Sequence, residues 1–249
     1  MNSLIKKLQE NPILAILSTI VLGVIVIEIS SLSAKPITAM LENHLALNLY
    51  TKNTVFKLFI LLYSIIAILL INKGKLSDYG FCKPTKVNYV KLTLNVIGIT
   101  TAAFIVGMIT FMVILSRLFP TGNNNVFPEF SSIMQMILTV WIWSSLCEEV
   151  LVRGLVQGFI QRFQSLKFLR LSIPVLVSGF FFGAMHLSLL SKGMSEWFVA
   201  FIVFNASVIG FMAAYYREKT GSLIPSFWVH FIANIVGAIP LIIKMIVAA

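Results

Sequence analysis

The sequence predicts an all-α, polytopic transmembrane helix bundle of about seven spans, with its N-terminus in the cytosol. Three observations predict it. Only 11% of the 249 residues are charged and 58% are hydrophobic, with a mean hydropathy of +0.94; soluble domains are about a quarter charged. The apolar residues fall in runs close to the roughly 20 residues a helix needs to cross a bilayer. The basic residues fall mostly in short loops between those runs, which is how membrane proteins set their orientation.

The first span is predicted from Pro12 to about Ile29, with Pro12 suited to a first helical turn. Residues 36–50, PITAMLENHLALNLY, are mixed and read as an interfacial helix. The second span is short, Val55 to Ile71, and Lys57 near its start is expected to snorkel to the surface. The third, Leu92 to Ser116, has no charge. The fourth starts near Ser131, runs uncharged through Cys147, and continues to about Phe159. The fifth is Leu171 to Ser191, the sixth Trp197 to Tyr216, and the seventh Ser222 to about Ile246. The chain is read as one integral domain, 1–249, in which 131–247 hold the helices that carry the chemistry.

The orientation follows from the loops. With the N-terminus inside, the cytosolic segments hold Lys6, Lys7, Lys73, Lys75, Lys83, Lys86, Lys91, Arg162, Lys167, Arg170, Arg217 and Lys219. The outer side and its flanks hold Lys35, Lys52, Lys57, Arg117, Lys192 and Lys244. Twelve against six supports seven spans; an eighth or re-entrant segment would upset the count. The same distribution argues against a nucleic-acid partner despite the net charge of +10. Cys82 and Cys147 make no disulfide framework, and no small-residue cleavage site clearly follows the first apolar run.

Against this background, a few polar groups stand out near mid-membrane: Glu148, Glu149 and Arg153 in the fourth span, His186 in the fifth, His230 and Asn234 in the seventh. Insertion scales charge about 2.5–3.5 kcal/mol for one ionised group at a helix centre. Such groups must face the bundle interior or water. Glu149 and Arg153 are four residues apart and can pair on one face. Glu148 lies about 140° round the helix from Arg153. It is the carboxylate without a same-helix counter-ion, and so the one free to exchange a proton as a general base or acid. With a rise of about 1.5 Å per residue, Glu148, His186, His230 and Asn234 reach similar depths. Each feature also has a plainer reading. A lone Glu–Arg pair can be a clasp, and a lone histidine a hydrogen-bond partner. Gly154, Gly158, Pro225 and Pro240 suit packing and kinks. Trp141, Trp143, Phe180 and Phe181 suit packing, and Phe182, one turn before His186, can buttress it.

EEVLVR (148–153) fits Glu-Glu-x-x-x-Arg, FGAMH (182–186) fits Phe-x-x-x-His, and HFIAN (230–234) fits His-x-x-x-Asn. In this order on three apolar helices, they resemble the CAAX-protease and bacteriocin-processing family of intramembrane endopeptidases, also called the Abi family. The resemblance covers about residues 143–235. It implies that Glu148, with His186, activates water, and that His230 and Asn234 stabilise the oxyanion. It implies that Glu149 and Arg153 support the site or read a substrate carboxylate. The expected substrate is a small membrane-associated, hydrophobic or lipidated peptide, as in CAAX-type or pheromone and bacteriocin processing. The expected partners are that substrate and the lipid bilayer. The many Lys, Asn and Ile residues suggest a bacterial plasma membrane. No cofactor is expected; the rival zinc reading would use His186, His230 and Glu148, since two His and one Glu can form a catalytic zinc site. No His-Glu-x-x-His pair is present. The other rivals are a non-catalytic membrane regulator or bacteriocin-immunity protein of the same fold, and a transporter using the charges as a relay.

Overall fold

The computed structural model describes residues 3–45, 48–122 and 132–247. Among these, seven helices are long and apolar enough to cross a membrane. A short helix, α1 (Ser3–Glu10), leads into α2 (Pro12–Glu42) and α3 (Leu49–Ile71). The remaining spans are α4 (Tyr89–Leu118), α5 (Ile133–Phe163), α6 (Ile173–Lys192), α7 (Glu196–Thr220) and α8 (Leu223–Val247). Local chemistry starts the helices. Asn11 caps the backbone N–H groups of Ile13 and Leu14, and Pro12 fills the first helical position, where no N–H is needed. Asn48, Asn88, Ser132 and Ser172 cap α3 to α6 in the same way.

Two expectations change, and one connection is new. The helix α2 does not stop near Ile29 but continues through Pro36 to Glu42, so residues 36–42 belong to it and not to an interfacial helix. The helix α3 starts at Leu49, six residues before Val55. This shift places Lys57 about 12 Å inside the helix at 1.5 Å per residue. The connection between α5 and α6 is a minimal hairpin, Lys167–Phe168 against Leu171–Ser172. Its two central residues, Leu169 and Arg170, both have positive φ (49° and 69°), as a tight two-residue turn demands. The expected start of the fourth span near Ser131, with Ala46 and Leu47 of the 36–50 stretch, lies outside the described residues.

The helix α5 is the axis of the bundle. Its most apolar 18-residue window is 56% buried, against 17% for α4. It packs against α2, α3, α6 and α8. Its backbone is α-helical over Ser145–Glu149, between two wider turns, Ile137–Ser144 and Val150–Val156, where N–H groups bond five residues back. Such π turns are frequent at functional sites. Beside it, α6 is α-helical to Ala184 and then tightens to a 3₁₀ spiral over Met185–Lys192, ended by Gly193 at φ 75°.

Small residues set how closely α6 and α7 cross. A Cβ at Gly210 would lie 2.9 Å from the Gly179 carbonyl oxygen and 3.0 Å from its Cα. At Gly183 it would collide with Ser207 of α7. Close backbone approach through small residues is how membrane helices gain packing without a hydrophobic driving force between them. The obstacle at Gly210 is backbone, which cannot rotate away. Gly210→Val is therefore expected to destabilise the protein by about 1–3 kcal/mol, as overpacking does, read as a lower thermal midpoint of the purified protein in detergent. Gly158 packs equally closely on the Tyr79 ring, which bears out a packing role there. At the same end of the bundle, the α3–α4 loop is tied to the α7–α8 turn. Leu223 N–H donates to Gly80 O, Ser222 Oγ to Cys82 O, and Thr85 N–H to Thr220 O.

Candidate active site

Glu148, Glu149 and Arg153 lie at the centre of α5, Glu148 fifteen residues from either end. Arg153 is fully buried and Glu149 nearly so, at 0% and 1% exposure. Their ion pair, Arg153 Nη1 to Glu149 Oε1 at 2.9 Å, is the expected i, i+4 pairing. Arg153 Nη2 donates to the Gly210 carbonyl of α7 at 3.1 Å. One turn further on, Gln157 Nε2 donates to the Ala214 carbonyl at 3.0 Å. Small residues at 210 and 214 leave these helix carbonyls open to a second donor.

His230 of α8 joins the two glutamates. Its Nδ1 is 3.0 Å from Glu149 Oε1, and its Nε2 is 3.6 Å from Glu148 Oε2. A carboxylate only accepts, so Nδ1 carries a hydrogen and donates to Glu149. His186 of α6 is fixed similarly. Its Nδ1 lies 2.8 Å from the Phe182 carbonyl oxygen, another pure acceptor, so Nδ1 again holds the hydrogen. In the neutral ring, Nε2 is left as the acceptor. Asn234 Nδ2 donates to Ser145 Oγ at 2.9 Å. Phe182 stands among these groups, with ring centroids 5.2 Å from His186 and 5.0 Å from His230. The Arg153 guanidinium lies 4.5 Å over its face, a cation–π contact. Phe182 thus touches three of the polar groups and not only His186.

A cavity of about 250 Å³ is lined by Glu148, His186, His230 and Asn234, together with Lys57, Ser144, Asn53, Tyr50 and Lys192. All four residues expected to carry the chemistry reach this one space. Glu149, Arg153 and Phe182, expected to support them, lie behind it. Arg153 has no exposed surface and does not line the cavity, so reading a substrate carboxylate does not fit its position. The remaining aromatics pack: Trp141 sits edge-on to Phe231, and Trp143 Nε1 donates to the Thr54 carbonyl.

Three participants escaped the sequence reading. Ser144 Oγ donates to Glu148 Oε1 at 3.1 Å, and Ser145 Oγ receives Asn234. The i, i+4 spacing of Ser144 and Glu148 was a usable signal. The third is Lys57. It does not snorkel: it is 6% exposed, and its Nζ donates to Glu148 Oε1 at 2.5 Å. Glu148 lacks a counter-ion only on its own helix.

The zinc set fares poorly. Among the described residues, no three His, Cys, Asp or Glu side chains converge in a way that could hold a metal. Glu148 Oε1 already holds an ammonium group, which a dication there would have to face. His186, His230 and Glu148 as placed do not fit a zinc site.

A family model described as Rce1-like, type II CAAX prenyl endopeptidase Rce1-like, matches residues 130–236. The match runs from the start of α5 past Asn234 and encloses all three motifs. No curated protein and no solved structure shows significant similarity to the chain. Over residues 130–236 the chain is therefore similar to the type II CAAX prenyl endopeptidase Rce1-like family.

Proposed function

We propose that the protein is an intramembrane endopeptidase that hydrolyses a peptide bond of a membrane-associated, hydrophobic or lipidated peptide by glutamate-activated water. The observation that carries the reading is the single cavity lined by Glu148, His186, His230 and Asn234 from three helices. A water there would give one hydrogen bond to Glu148 Oε2 and the other to His186 Nε2, the free acceptor. As its oxygen attacks the scissile carbonyl, Glu148 takes the proton. The carbonyl oxygen becomes an oxyanion. The Asn234 amide would donate to it, as would His230 through Nε2 when that nitrogen carries a proton. Glu148 then returns the proton to the departing amine, so the carboxylate is regenerated and the net reaction consumes one water. The site works without a resident metal in this reading. Apolar walls beside these polar groups suit a hydrophobic chain entering from the bilayer.

Comparative peptidomics of cells carrying the wild type or Glu148→Ala tests the activity. Precursor peptides should accumulate and their products disappear in the variant. If Glu148→Ala at normal abundance keeps full biological function, the protein is a non-catalytic regulator instead. Exhaustive chelation of the purified protein should leave the cleavage rate unchanged, with no stoichiometric metal by elemental analysis. A rate abolished by chelation and restored by zinc would return the metal reading.

A further inference from the structure

We infer that Lys57, on α3, is a positioning residue for the Glu148 carboxylate. It fills one carboxylate oxygen so that the other, Oε2, is the atom that takes the proton from water. The inference rests on Glu148 as the base. Lys57 lies outside residues 130–236, so the Rce1-like domain completes its site with a side chain from the N-terminal helices.

A lysine at mid-membrane normally extends its flexible stem to the interface. Lys57 instead keeps its ammonium buried, where its charge is costly unless a partner meets it. The partner is Glu148 Oε1, which also accepts from Ser144 Oγ. Two donors therefore occupy Oε1, while the nearest protein group to Oε2 in these interactions is His230 Nε2 at 3.6 Å, beyond a good hydrogen bond. The two oxygens are chemically equivalent in a free carboxylate and are made different here by Lys57 and Ser144. The pair also removes rotational freedom from Glu148, since Ser144 holds it along α5 and Lys57 holds it across to α3. A base fixed in this way keeps its acceptor oxygen toward the cavity before the substrate arrives, which is the condition for efficient proton transfer.

The test uses full-length protein in nanodiscs, with a farnesylated, fluorescence-quenched CAAX peptide as the probe. Lys57→Met should lower kcat at least about 100-fold with KM changed less than about twofold, and Lys57→Arg should recover most of the lost rate. Added to Glu148→Gln, Lys57→Met should cause no further loss of residual rate. Thermal unfolding supplies an arm that needs no substrate. Lys57→Met should lower the midpoint, and the Lys57→Met/Glu148→Gln double variant should regain most of the loss, because it leaves no lone buried charge. A Lys57→Met enzyme within twofold of wild-type kcat overturns the inference. So do rate losses that multiply independently in the double variant. If the wild type cleaves no probe, the protease reading is what fails, and the thermal cycle still decides whether Lys57 and Glu148 are coupled; additive midpoint shifts there overturn the pairing itself.

Discussion

Glu148→Gln is expected to lower the rate of peptide hydrolysis by about 10²–10⁴-fold, the usual contribution of a positioned general base, with the protein still folded. The amide keeps the size of the carboxylate and can still accept from Lys57 and Ser144. What it loses is the capacity to take a proton from water. Single-turnover cleavage by purified wild type and variant measures this directly. Glu149→Gln is the informative contrast. Glu149 lies 1% exposed behind the cavity, holding Arg153 and His230. Its loss should act through stability and the orientation of His230, with a smaller fall in rate for the fraction that folds. Equal losses from both substitutions would remove the division of labour between the two glutamates.

Arg153→Met is expected to be among the most destabilising single changes in the chain, at about 3–5 kcal/mol, the cost of leaving one buried charge without its partner. It removes the guanidinium from Glu149, from the Gly210 carbonyl and from the face of Phe182. The double variant Arg153→Met/Glu149→Gln should regain a large part of that loss, since replacing both members of a buried pair is often near neutral. Thermal unfolding in detergent, run as a double-mutant cycle, gives the coupling. A double variant no more stable than Arg153→Met would mean that Arg153 acts through α7 and Phe182 rather than through Glu149.

Both results turn on a pair that was legible in the sequence. Two residues four apart on a helix share a face wherever the helix goes, so Glu149–Arg153 followed from spacing alone. The spans were legible for a similarly local reason. A bilayer demands a run of apolar residues for each crossing, and caps such as Asn11 and Asn48 act within a few residues of themselves. Helix ends were less secure. The mixed stretch from residue 36 read as a separate interfacial helix, yet α2 passes through Pro36, because the neighbours of a membrane helix can tolerate the missing hydrogen bond. The α3 start was misplaced by six residues because Asn48 to Thr54 is polar enough to resemble a loop. That error concealed Lys57, since a lysine near the apparent end of an apolar run has an easy route to the interface.

The sequence by itself determined the membrane class, the number of long apolar helices, the Glu149–Arg153 pair and the set of polar residues with no reason to face lipid. These follow from solvation cost and helical periodicity, both functions of neighbouring residues. Tertiary structure alone decided which of those residues share a cavity. It set Glu148, His186, His230 and Asn234 around one space and placed Arg153 behind it. It also gave Glu148 a cation from a residue 91 positions away. A contact between Lys57 and Glu148 depends on how α3 leans on α5, and no spacing along the chain encodes that angle.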